Sequence, residues 1–472
     1  MINSLISATY TDQYQLAMAQ VYFNSPQRDQ TAVFDYFFRK LPFQGGYAIF
    51  AGLETLLDIL SEWHFSQQDI AYLKDQGFQQ DFLDYLTHFR FTGSIHAMKE
   101  GEVVFPNTPM MRIEGNLIEV QMIETLLLNF VNFQTLIATK AARIRDTAPQ
   151  ATLLELGLRR AQGLGGFHAA RAAMIGGFNG TSNVMAAKTF DIPAVGTMAH
   201  AFIQSYNDEL TAFRRFAEQR PQDCVLLVDT YDTLNSGLPN AITVAQEMQQ
   251  CGQQLKAIRL DSGDLAYLSK RARCMLDQAG LHHVKIAVSN QLDEHLIKSL
   301  LEQQAPIDIY GVGTSLAIGH PDAALDGVYK MARCHDQSRI KLSENKEKTT
   351  LPDRKTVYRL LDQQHMFAGD VITLMDDKQP IKMMHHPFDP FKSRQIHALT
   401  QQPLLDCVFD QGKRCQPCQS IQSIADYRAQ RLAQLPAEHK RFNYPHVYKI
   451  GISTTLKQQR DALIQHYKNK DC

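Results

Sequence analysis

The feature that most constrains the fold is a series of short apolar runs that each end in a small or acidic residue. The runs are Thr152–Glu155, Ile192–Gly196, Val225–Asp229, Ala257–Asp261, Ile286–Ser289 and Ile307–Gly311. By residue number, the last five end points are separated by 33, 32, 28 and 22 residues. Since a parallel βα unit takes about 30 residues, this spacing predicts consecutive βα units.

Amphipathic segments fill the intervals between these runs. Helices are predicted over Leu238–Gln250, Leu265–Ala279 and Leu292–Leu301. Gly252 and Gly280 follow the first two, where helix ends favour glycine. Alternating strands and helices imply a parallel sheet, and this number of repeats favours a (β/α) barrel, with an open doubly wound sheet as the alternative. In both architectures the active site forms at the carboxyl ends of the strands.

The segments on either side of the repeats have a different pattern. The first mixes elements of both kinds: a helix with Thr9 or Thr11 as N-cap, a strand over Thr31–Phe38, a helix over Leu53–Trp63, and short strands from Phe91 to Val120, the last of them NLIEV. A helical stretch over Ile118–Ala142 follows. Beyond about residue 350, two strands precede a helix over Ser420–Leu435. We therefore predict an α/β protein with an N-terminal α/β domain (1–125), a (β/α) barrel-like catalytic domain (126–350) and a small C-terminal α+β extension (351–472).

Composition narrows the class of protein. With 44% hydrophobic and 21% charged residues, the chain has the balance of a globular protein with an ample core. Its formal net charge of −1 supplies no global basic field for nucleic acid or anionic lipid. The N-terminus lacks a basic leader with an apolar h-region, and no apolar run has spanning length. We expect a cytoplasmic protein with no nucleic-acid or membrane partner.

The eight cysteines do not form a disulfide framework in the sequence. Most are single residues in periodic segments, as expected for reduced buried thiols. Cys407, Cys415 and Cys418 alone cluster. Their spacing leaves two interpretations, a zinc knuckle that lacks an evident fourth ligand or reduced structural cysteines.

The strand ends carry the candidate functional residues. In DIPAVGTMAHAFIQSY, an apolar run breaks at Gly196 and a helix begins, which places Thr197 and His200 at the mouth of a βα unit. A single histidine is more often a core residue, but the same arrangement recurs downstream. Asp229 and Asp261 follow two further strands and suit Mg²⁺ or sugar hydroxyls, with helix capping as the alternative.

Two further groups at the strand ends suit an anion. The stretch that contains Gly311, Gly313 and Thr314 offers backbone N–H groups and a hydroxyl for a phosphate, although a simple turn explains it equally well. In the LRRAQ stretch, one of Arg159 and Arg160 suits bidentate binding of an anion, and the other suits a surface ion pair. Taken together, the arginine, the loop and the carboxylates fit a phosphorylated sugar with Mg²⁺ better than any of them does alone.

Several motifs together resemble the nicotinate phosphoribosyltransferase family. They are TDQYQLAMA, FRKLPFQGGY, LRRAQG with GGFNGTSN, GTMAHAF, VDTYDTLNSG, RLDSGDL, and GVGTSL with GVYK, and they run in the family's order from about residue 9 to residue 360. One departure is Asp353, which stands where the family pattern leads us to expect glycine. The resemblance implies an N-terminal α/β domain, an irregular α/β barrel and a C-terminal extension.

The resemblance also implies a reaction and roles for residues. Nicotinate attacks C1 of 5-phosphoribosyl-1-pyrophosphate to give nicotinate mononucleotide and pyrophosphate, a step of NAD biosynthesis and salvage, and ATP hydrolysis is coupled through a phosphohistidine that matches His200. The family forms homodimers whose sites lie across the interface, where the partner subunit's Tyr14 would stack on the pyridine. Remaining roles are Mg²⁺ binding, direct or through water, for Asp229 and Asp261, nicotinate binding for Arg259 and Thr197, phosphate binding for Arg159, Gly313 and Thr314, and substrate binding for Ser289 and Gly311.

One position separates nicotinate from nicotinamide as the acceptor. Nicotinamide phosphoribosyltransferases are similar but carry aspartate after the Gly-Thr pair, whereas Ser182 follows Gly180 and Thr181 here. An aspartate there would repel the nicotinate carboxylate, while serine can donate to it. The alternatives are a nicotinamide enzyme, a quinolinate enzyme, a phosphate-binding barrel isomerase, and a non-catalytic regulatory relative.

Overall fold

The computed structural model describes residues 6–377 and 380–470, so that Cys472 lies outside the described residues. The chain forms two compact units. Unit 1 combines residues 1–136 with 324–472, and unit 2 contains residues 137–323. This grouping places the first and last predicted domains in one unit, and the three-domain boundaries stay a prediction.

Unit 2 contains a six-stranded sheet in which every strand pair is parallel. The strands are β6 (Thr152–Glu155), β7 (Gly180–Thr181), β8 (Val225–Leu227), β9 (Ala257–Leu260), β10 (Lys285–Ser289) and β11 (Ile309–Val312), in the order β7-β6-β11-β10-β9-β8. Within unit 2, the last strand along the chain, β11, pairs with the first, β6. This pairing joins the two ends of the βα series, as in a barrel.

The predicted strand Ile192–Gly196 is wrong as a regular strand. It contributes only a parallel bridge between Thr181 and Ala194. The Thr181 N–H donates to the Pro193 carbonyl, and the Val195 N–H donates to the Thr181 carbonyl. The ladder does not extend further toward the start of this segment, because Pro193 has no N–H to donate. The bridge nevertheless extends the order by one segment beyond β7, which gives an irregular (β/α) barrel and confirms the predicted fold class.

The helices of unit 2 alternate with these strands. They are α7 (Leu164–Ile175), α8 (Val184–Phe190), α9 (His200–Gln204), α10 (Glu209–Gln219), α11 (Leu238–Gln250), α12 (Leu265–Gln278), α13 (Glu294–Glu302) and α14 (Thr314–Ala317). Gly252 and Gly280 follow α11 and α12 with φ angles of 69° and 75°. Both therefore lie in the left-handed region, as predicted for glycines after helix ends.

Unit 1 is built on an antiparallel seven-stranded sheet, a mixed six-stranded sheet and a two-stranded ribbon. Its strands before unit 2 are β1 (Thr31–Phe38), β2 (Ala48–Ile49), β3 (Ser94–Ala97), β4 (Val103–Val104) and β5 (Met111–Asn116). Those after it are β12 (Gly327–Cys334), β13 (Gln337–Ser338), β14 (Lys355–Leu361), β15 (Phe367–Leu374), β16 (Met383–His385), β17 (Ser393–Gln395), β18 (Thr400–Pro403), β19 (Asp406–Asp410), β20 (Lys413–Arg414) and β21 (Ile450–Ser453). The sheet orders are β13-β12-β1-β5-β3-β19-β20, β17-β16-β21-β15-β14-β18 and β2-β4.

The remaining helices are α1 (Gln13–Phe23), α2 (Leu53–Glu62), α3 (Gln67–Asp75), α4 (Gln80–Thr87), α5 (Leu117–Met122), α6 (Glu124–Thr147), α15 (Ile421–Ala433) and α16 (Thr454–Lys470). Two predictions fail among them. The NLIEV segment is helical in α5, because the side chain of Asn116 caps it by accepting from the Ile118 N–H. The N-cap of α1 is Asp12, one residue beyond Thr11. Within the described part of the chain, no helix is both long and apolar enough to cross a membrane.

Asp353 explains the departure from glycine that the sequence shows. Its φ of 66° lies in the left-handed region, where glycine is favoured. The side chain accepts from the hydroxyl of Ser338, from the amide of Gln459 and from Arg333 at 2.6 to 3.1 Å. Burial would raise the pKa of Asp353, but these bonds and one from the Arg354 N–H lower it to about 2. The carboxylate therefore offsets a strained backbone with a network that glycine cannot make.

We expect Asp353 to make the stability of unit 1 pH-dependent in acid. Because its folded pKa lies below the unfolded value of about 3.9, its contribution is present above pH 4 and is lost as pH falls through about 2. Asp353→Asn should remove about 1–2 kcal/mol at pH 6 and less than about half of that at pH 2.5, where the contribution is partly lost. Urea unfolding midpoints at both pH values measure this, and an equal loss at both would contradict it. Asp376→Asn is the control.

Candidate active site

Arg259 is the centre of the polar cluster at the carboxyl ends of the barrel strands. Its Nε donates to Ser289 Oγ at 2.9 Å and its Nη1 to Thr197 Oγ1 at 3.0 Å. Its Nη2 donates to Asp261 Oδ1 at 3.0 Å, and the Ser289 hydroxyl also donates to that oxygen. The guanidinium thus holds three predicted site residues in a fixed arrangement. Its planar fork suits such simultaneous bonds better than an ammonium would.

His200 lies at the edge of the same cluster. Its Nδ1 is 3.0 Å from the hydroxyl oxygen of Thr230, and its Nε2 is 4.0 Å from Asp261 Oδ2. It is the first residue of α9, as predicted, and its ring is partly exposed. The histidine is therefore oriented by protein groups while one edge stays open to a reactant.

Asp229 and Asp261 offer oxygen ligands for a cation. Asp229 Oδ2 accepts from the Asp261 N–H at 2.8 Å and from the Ser262 hydroxyl at 2.6 Å. Its Oδ1 is buried without a hydrogen-bond partner. Across residues 6–377 and 380–470, no group of three or more His, Cys, Asp or Glu side chains could hold a metal. The pair therefore fits Mg²⁺ that also takes phosphate and water ligands, as this ion usually does.

The other predicted residues lie on neighbouring strand ends. Arg159 is exposed in the loop after β6, and Ser182, directly after β7, is half-buried and donates its N–H to the Glu155 carbonyl at 2.9 Å. A Cβ at Gly311 would lie 2.4 Å from the Leu156 Cδ1, so the Leu156 side chain packs directly against this glycine. Gly313 and Thr314 follow at the start of α14, and Thr314 is exposed. These residues share the carboxyl edge of one sheet.

Sequence reasoning missed several residues at this edge. Thr230 and Ser262 each follow a predicted carboxylate by one position, a signal that was available. Asn290 and Gln291, after Ser289, have φ angles of 91° and 48°, and such strained pairs cluster at functional sites. Glu155 is buried and ends β6; only its place at a strand end pointed to it.

Unit 1 carries two features of its own. Tyr14 is 51% exposed on α1. A cavity of about 810 Å³ is lined by Arg39, Lys392, Arg394 and Lys449, with Glu347 as its acidic side chain. Its charge suits phosphate groups.

The cysteine cluster is only partly assembled. The sulfurs of Cys407 and Cys415 are 3.1 Å apart. Cys418 is exposed, and its thiol contacts the backbone carbonyl of the next residue, Gln419. Among the described residues, these cysteines do not form a group of three or more side chains that could hold a metal. A zinc knuckle therefore has no support in the described part of the chain.

The strand ends of this α/β barrel present an arginine fork, a partly exposed histidine and two carboxylates, which are groups suited to an enzyme that binds phosphorylated substrates. Family models for the nicotinate phosphoribosyltransferase N-terminal domain, family and C-terminal domain match residues 9–132, 152–388 and 354–460. The chain belongs to the nicotinate phosphoribosyltransferase family.

Individual relatives agree with this assignment. The nicotinate phosphoribosyltransferase of Bacillus subtilis is 46% identical over 98% of this chain and 96% of its own length. That of Dictyostelium discoideum is 36% identical over 96% and 88%. The crystal structure of human nicotinic acid phosphoribosyltransferase superposes with a TM-score of 0.86 at 28% identity, covering 96% of this chain and 99% of that chain.

Proposed function

We propose that this protein transfers the phosphoribosyl group of 5-phosphoribosyl-1-pyrophosphate to nicotinate, with ATP hydrolysis coupled through phosphorylation of His200. The Arg259 cluster carries the proposal. Its guanidinium faces a polar site with Thr197, Ser289 and Asp261 already oriented. Family membership supplies the reaction, and this geometry supplies groups suited to it.

The chemistry requires positioning and charge stabilisation more than a strong base. Departure of pyrophosphate leaves oxocarbenium character on the ribose while negative charge develops on the leaving group. Arg259 would pair with the nicotinate carboxylate or stack on its ring, and Thr197 would donate to that carboxylate. Arg159 would bind a phosphate, and Gly313 and Thr314 the 5′-phosphate. Mg²⁺, when bound through Asp229 and Asp261 directly or by water, would neutralise the pyrophosphate.

ATP coupling rests on His200 and its surroundings. Thr230 orients the ring, and Asp261 lies near its second nitrogen. Phosphorylation there would add negative charge beside the pyrophosphate region, and this charge would couple ATP hydrolysis to substrate affinity or product release.

We expect His200→Ala to abolish the stimulation of turnover by ATP, because no other group would accept the phosphoryl group. The ATP-independent rate should persist. Initial rates with and without ATP measure the ratio. His282→Ala, an exposed histidine of unit 2, should retain full stimulation. Undiminished ATP stimulation in His200→Ala would exclude the phosphohistidine.

We expect Ser182→Asp to raise the KM for nicotinate about 10- to 100-fold, because two carboxylates would meet in a partly desolvated site. Ser182→Ala, which removes only a hydroxyl, should raise it less than the aspartate does. Steady-state kinetics for nicotinate at saturating phosphoribosyl pyrophosphate measure both variants. An unchanged KM in Ser182→Asp would place the residue outside the acceptor pocket.

A homodimer with sites across the interface completes the proposal. The partner subunit's Tyr14 would stack on the pyridine, and the exposure of this ring in the single chain agrees with such a role. The cationic cavity of unit 1 is a second surface suited to an anionic substrate. Analytical ultracentrifugation measures the oligomeric state.

The deciding experiment is product formation from nicotinate and phosphoribosyl pyrophosphate with Mg²⁺, with and without ATP, beside nicotinamide as the rival acceptor. We expect nicotinate mononucleotide, formed faster with ATP, and little product from nicotinamide. Preferred turnover of nicotinamide would overturn the acceptor assignment and the role of Ser182. No turnover of either would favour a non-catalytic regulatory relative.

A further inference from the structure

Glu155 is a buried carboxylate that the proposed chemistry does not use. It ends β6 at the active-site edge of the barrel, and its side chain is excluded from solvent. Its described bonds come from neutral donors: Oε2 accepts from the Thr181 hydroxyl at 2.5 Å, and Oε1 accepts from the Gly157 N–H. Burial raises the pKa of Glu155. Burial of a carboxylate costs free energy unless hydrogen bonds compensate for the lost water, so the two donors that bind Glu155 indicate its role.

One donor lies in the loop after β6, and the other, Thr181, ends β7 immediately before the next loop. Gly157 opens the turn that carries Arg159, and Thr181 directly precedes Ser182, whose N–H bonds the backbone carbonyl of Glu155 itself. The Thr181 hydroxyl also accepts from the Asn183 N–H at 3.0 Å. One side chain therefore bridges the loop proposed to bind phosphate and the loop proposed to face nicotinate.

The second segment proposed to bind phosphate is tied to the same turn. A Cβ at Gly157 would lie 2.4 Å from the Ala317 Cβ and 2.9 Å from both the Gly313 carbonyl and Glu155 Oε1. The turn after β6 therefore packs directly on the segment that contains Gly313. Its position is set by contact on one side and by the Glu155 carboxylate on the other.

We propose that Glu155 is a positioning residue that sets the separation between Arg159 and Ser182, and hence between the sites for phosphoribosyl pyrophosphate and nicotinate. This inference rests on the proposed function. A group of this kind should change the affinity for two chemically different substrates at once, although it touches neither of them.

The test compares Glu155→Gln and Thr181→Val with the wild-type protein. Each keeps the side-chain volume close to the original but disrupts the bridge. We expect the KM for nicotinate and the KM for phosphoribosyl pyrophosphate to rise together by about tenfold, the effect of losing one charged hydrogen bond, with kcat changed less. Glu294→Gln is the matched control, since Glu294 is a buried carboxylate of unit 2 that pairs with Lys140 and Arg143 away from the strand ends. It should lower the melting temperature while both KM values stay unchanged.

Double variants show whether Glu155 acts through the two loops. In an Arg159→Ala background, Glu155→Gln should no longer raise the KM for phosphoribosyl pyrophosphate, and in a Ser182→Ala background it should no longer raise the KM for nicotinate. The inference would be overturned if the effects in the double variants were fully additive, or if Glu155→Gln left both KM values unchanged. It would also be overturned if Glu294→Gln raised both KM values as much as Glu155→Gln does. Absence of turnover in the wild-type protein would overturn the proposed function and this inference with it.

A second, independent observation concerns the hairpin of β19 and β20. Phe409 and Asp410 pair with Arg414 and Lys413, and the Cys415 N–H donates to the Val408 carbonyl, so the ladder continues past β20. This places the sulfur of Cys415 3.1 Å from that of Cys407. Cys415 is exposed, whereas Cys407 is half-buried, and burial raises the pKa of its thiol to about 11. Cys415 is therefore the more accessible nucleophile.

We infer that Cys407 and Cys415 form a site of reversible oxidation by small-molecule disulfides such as oxidised glutathione. The Cys415 thiolate attacks the disulfide and expels one thiolate, and Cys407 then attacks the mixed disulfide at the Cys415 sulfur, loses its proton and expels the second thiol. Two protein thiols become one disulfide, and the small disulfide is reduced to two thiols.

Mass spectrometry after incubation with oxidised glutathione tests this directly. We expect the loss of two hydrogens and a peptide that joins Cys407 to Cys415, with the same product in Cys418→Ser. Cys407→Ser should instead stop at a glutathione adduct on Cys415. A stable adduct on Cys415 in the wild-type protein, a bridge that includes Cys418, or no reaction would overturn the inference.

Discussion

Replacing Arg259 by lysine is expected to lower kcat/KM for phosphoribosyl transfer by about 10²- to 10³-fold. The guanidinium donates from three nitrogens to Ser289, Thr197 and Asp261, and a lysine ammonium cannot reach all three from one position. The positive charge remains in the lysine variant, so a large loss would identify the fork geometry, not the charge alone, as the source of catalysis. Initial rates over both substrate concentrations measure the loss.

A surface arginine supplies the matched control for this prediction. Arg214 forms a bidentate pair with Glu247 on the exposed face of unit 2. Arg214→Lys should leave kcat/KM within about twofold, since exposed pairs contribute little. Melting temperatures separate lost activity from lost folding. If Arg259→Lys keeps more than a third of the wild-type kcat/KM, the cluster is not the catalytic centre.

Much of unit 2 was predictable because its order is local. The helix over Leu238–Gln250 was predicted at its observed bounds, and Thr152–Glu155 likewise as a strand. Each rests on periodicity within a few residues. β7 escaped notice because two residues, Gly180 and Thr181, carry no pattern. Ile192–Gly196 misled because apolar residues are compatible with a strand while Pro193 limits the ladder to one bridge.

The active site was likewise predictable only where the signal is local in the sequence. Residue types at the strand ends pointed to Asp229 and Asp261, the family resemblance pointed to Arg259, and the structure brings these three to one edge. The hydrogen bonds that join the site residues were beyond prediction, because the bond from Arg259 to Thr197 connects positions 62 residues apart. The sequence gives little sign of Glu155 for a related reason: its described bonds come from neutral donors, which leave no charge pattern in the sequence.

Unit 1 depends most on contacts between residues far apart in the chain, which sequence patterns do not predict. Strand β1 pairs with β12, close to 300 residues later in the chain. In strand β14, the buried Arg359 donates to both oxygens of Asp370 and to Glu102, which is 257 residues away. Arg359 also lies over the Phe367 ring at 4.1 Å. Burial opposes the charge of Glu102, but Arg359 and Arg431 lower its pKa. A local sequence pattern cannot predict a hydrogen-bond network between residues so far apart in the chain.

We expect Arg359→Met to lower the free energy of unfolding of unit 1 by about 3–5 kcal/mol. Methionine fills much of the volume but leaves Asp370 and part of Glu102 without their cation in a site that excludes water. Burial of an unpaired carboxylate is the main cost, so most of the loss should come from the remaining charges and not from the missing side chain. Urea unfolding, with hydrogen exchange of β14 and β15 as the local readout, measures it.

Two further variants make that explanation testable. Arg359→Met combined with Asp370→Asn should recover part of the lost stability, because the buried carboxylate that was left unpaired is now neutral. Arg441→Met, at an exposed arginine of unit 1, should change stability by less than about 0.5 kcal/mol. A double variant less stable than Arg359→Met alone would mean that packing and hydrogen bonds, not unpaired charge, dominate the network. A loss below about 1 kcal/mol in the single variant would show that water reaches the site when the arginine is removed.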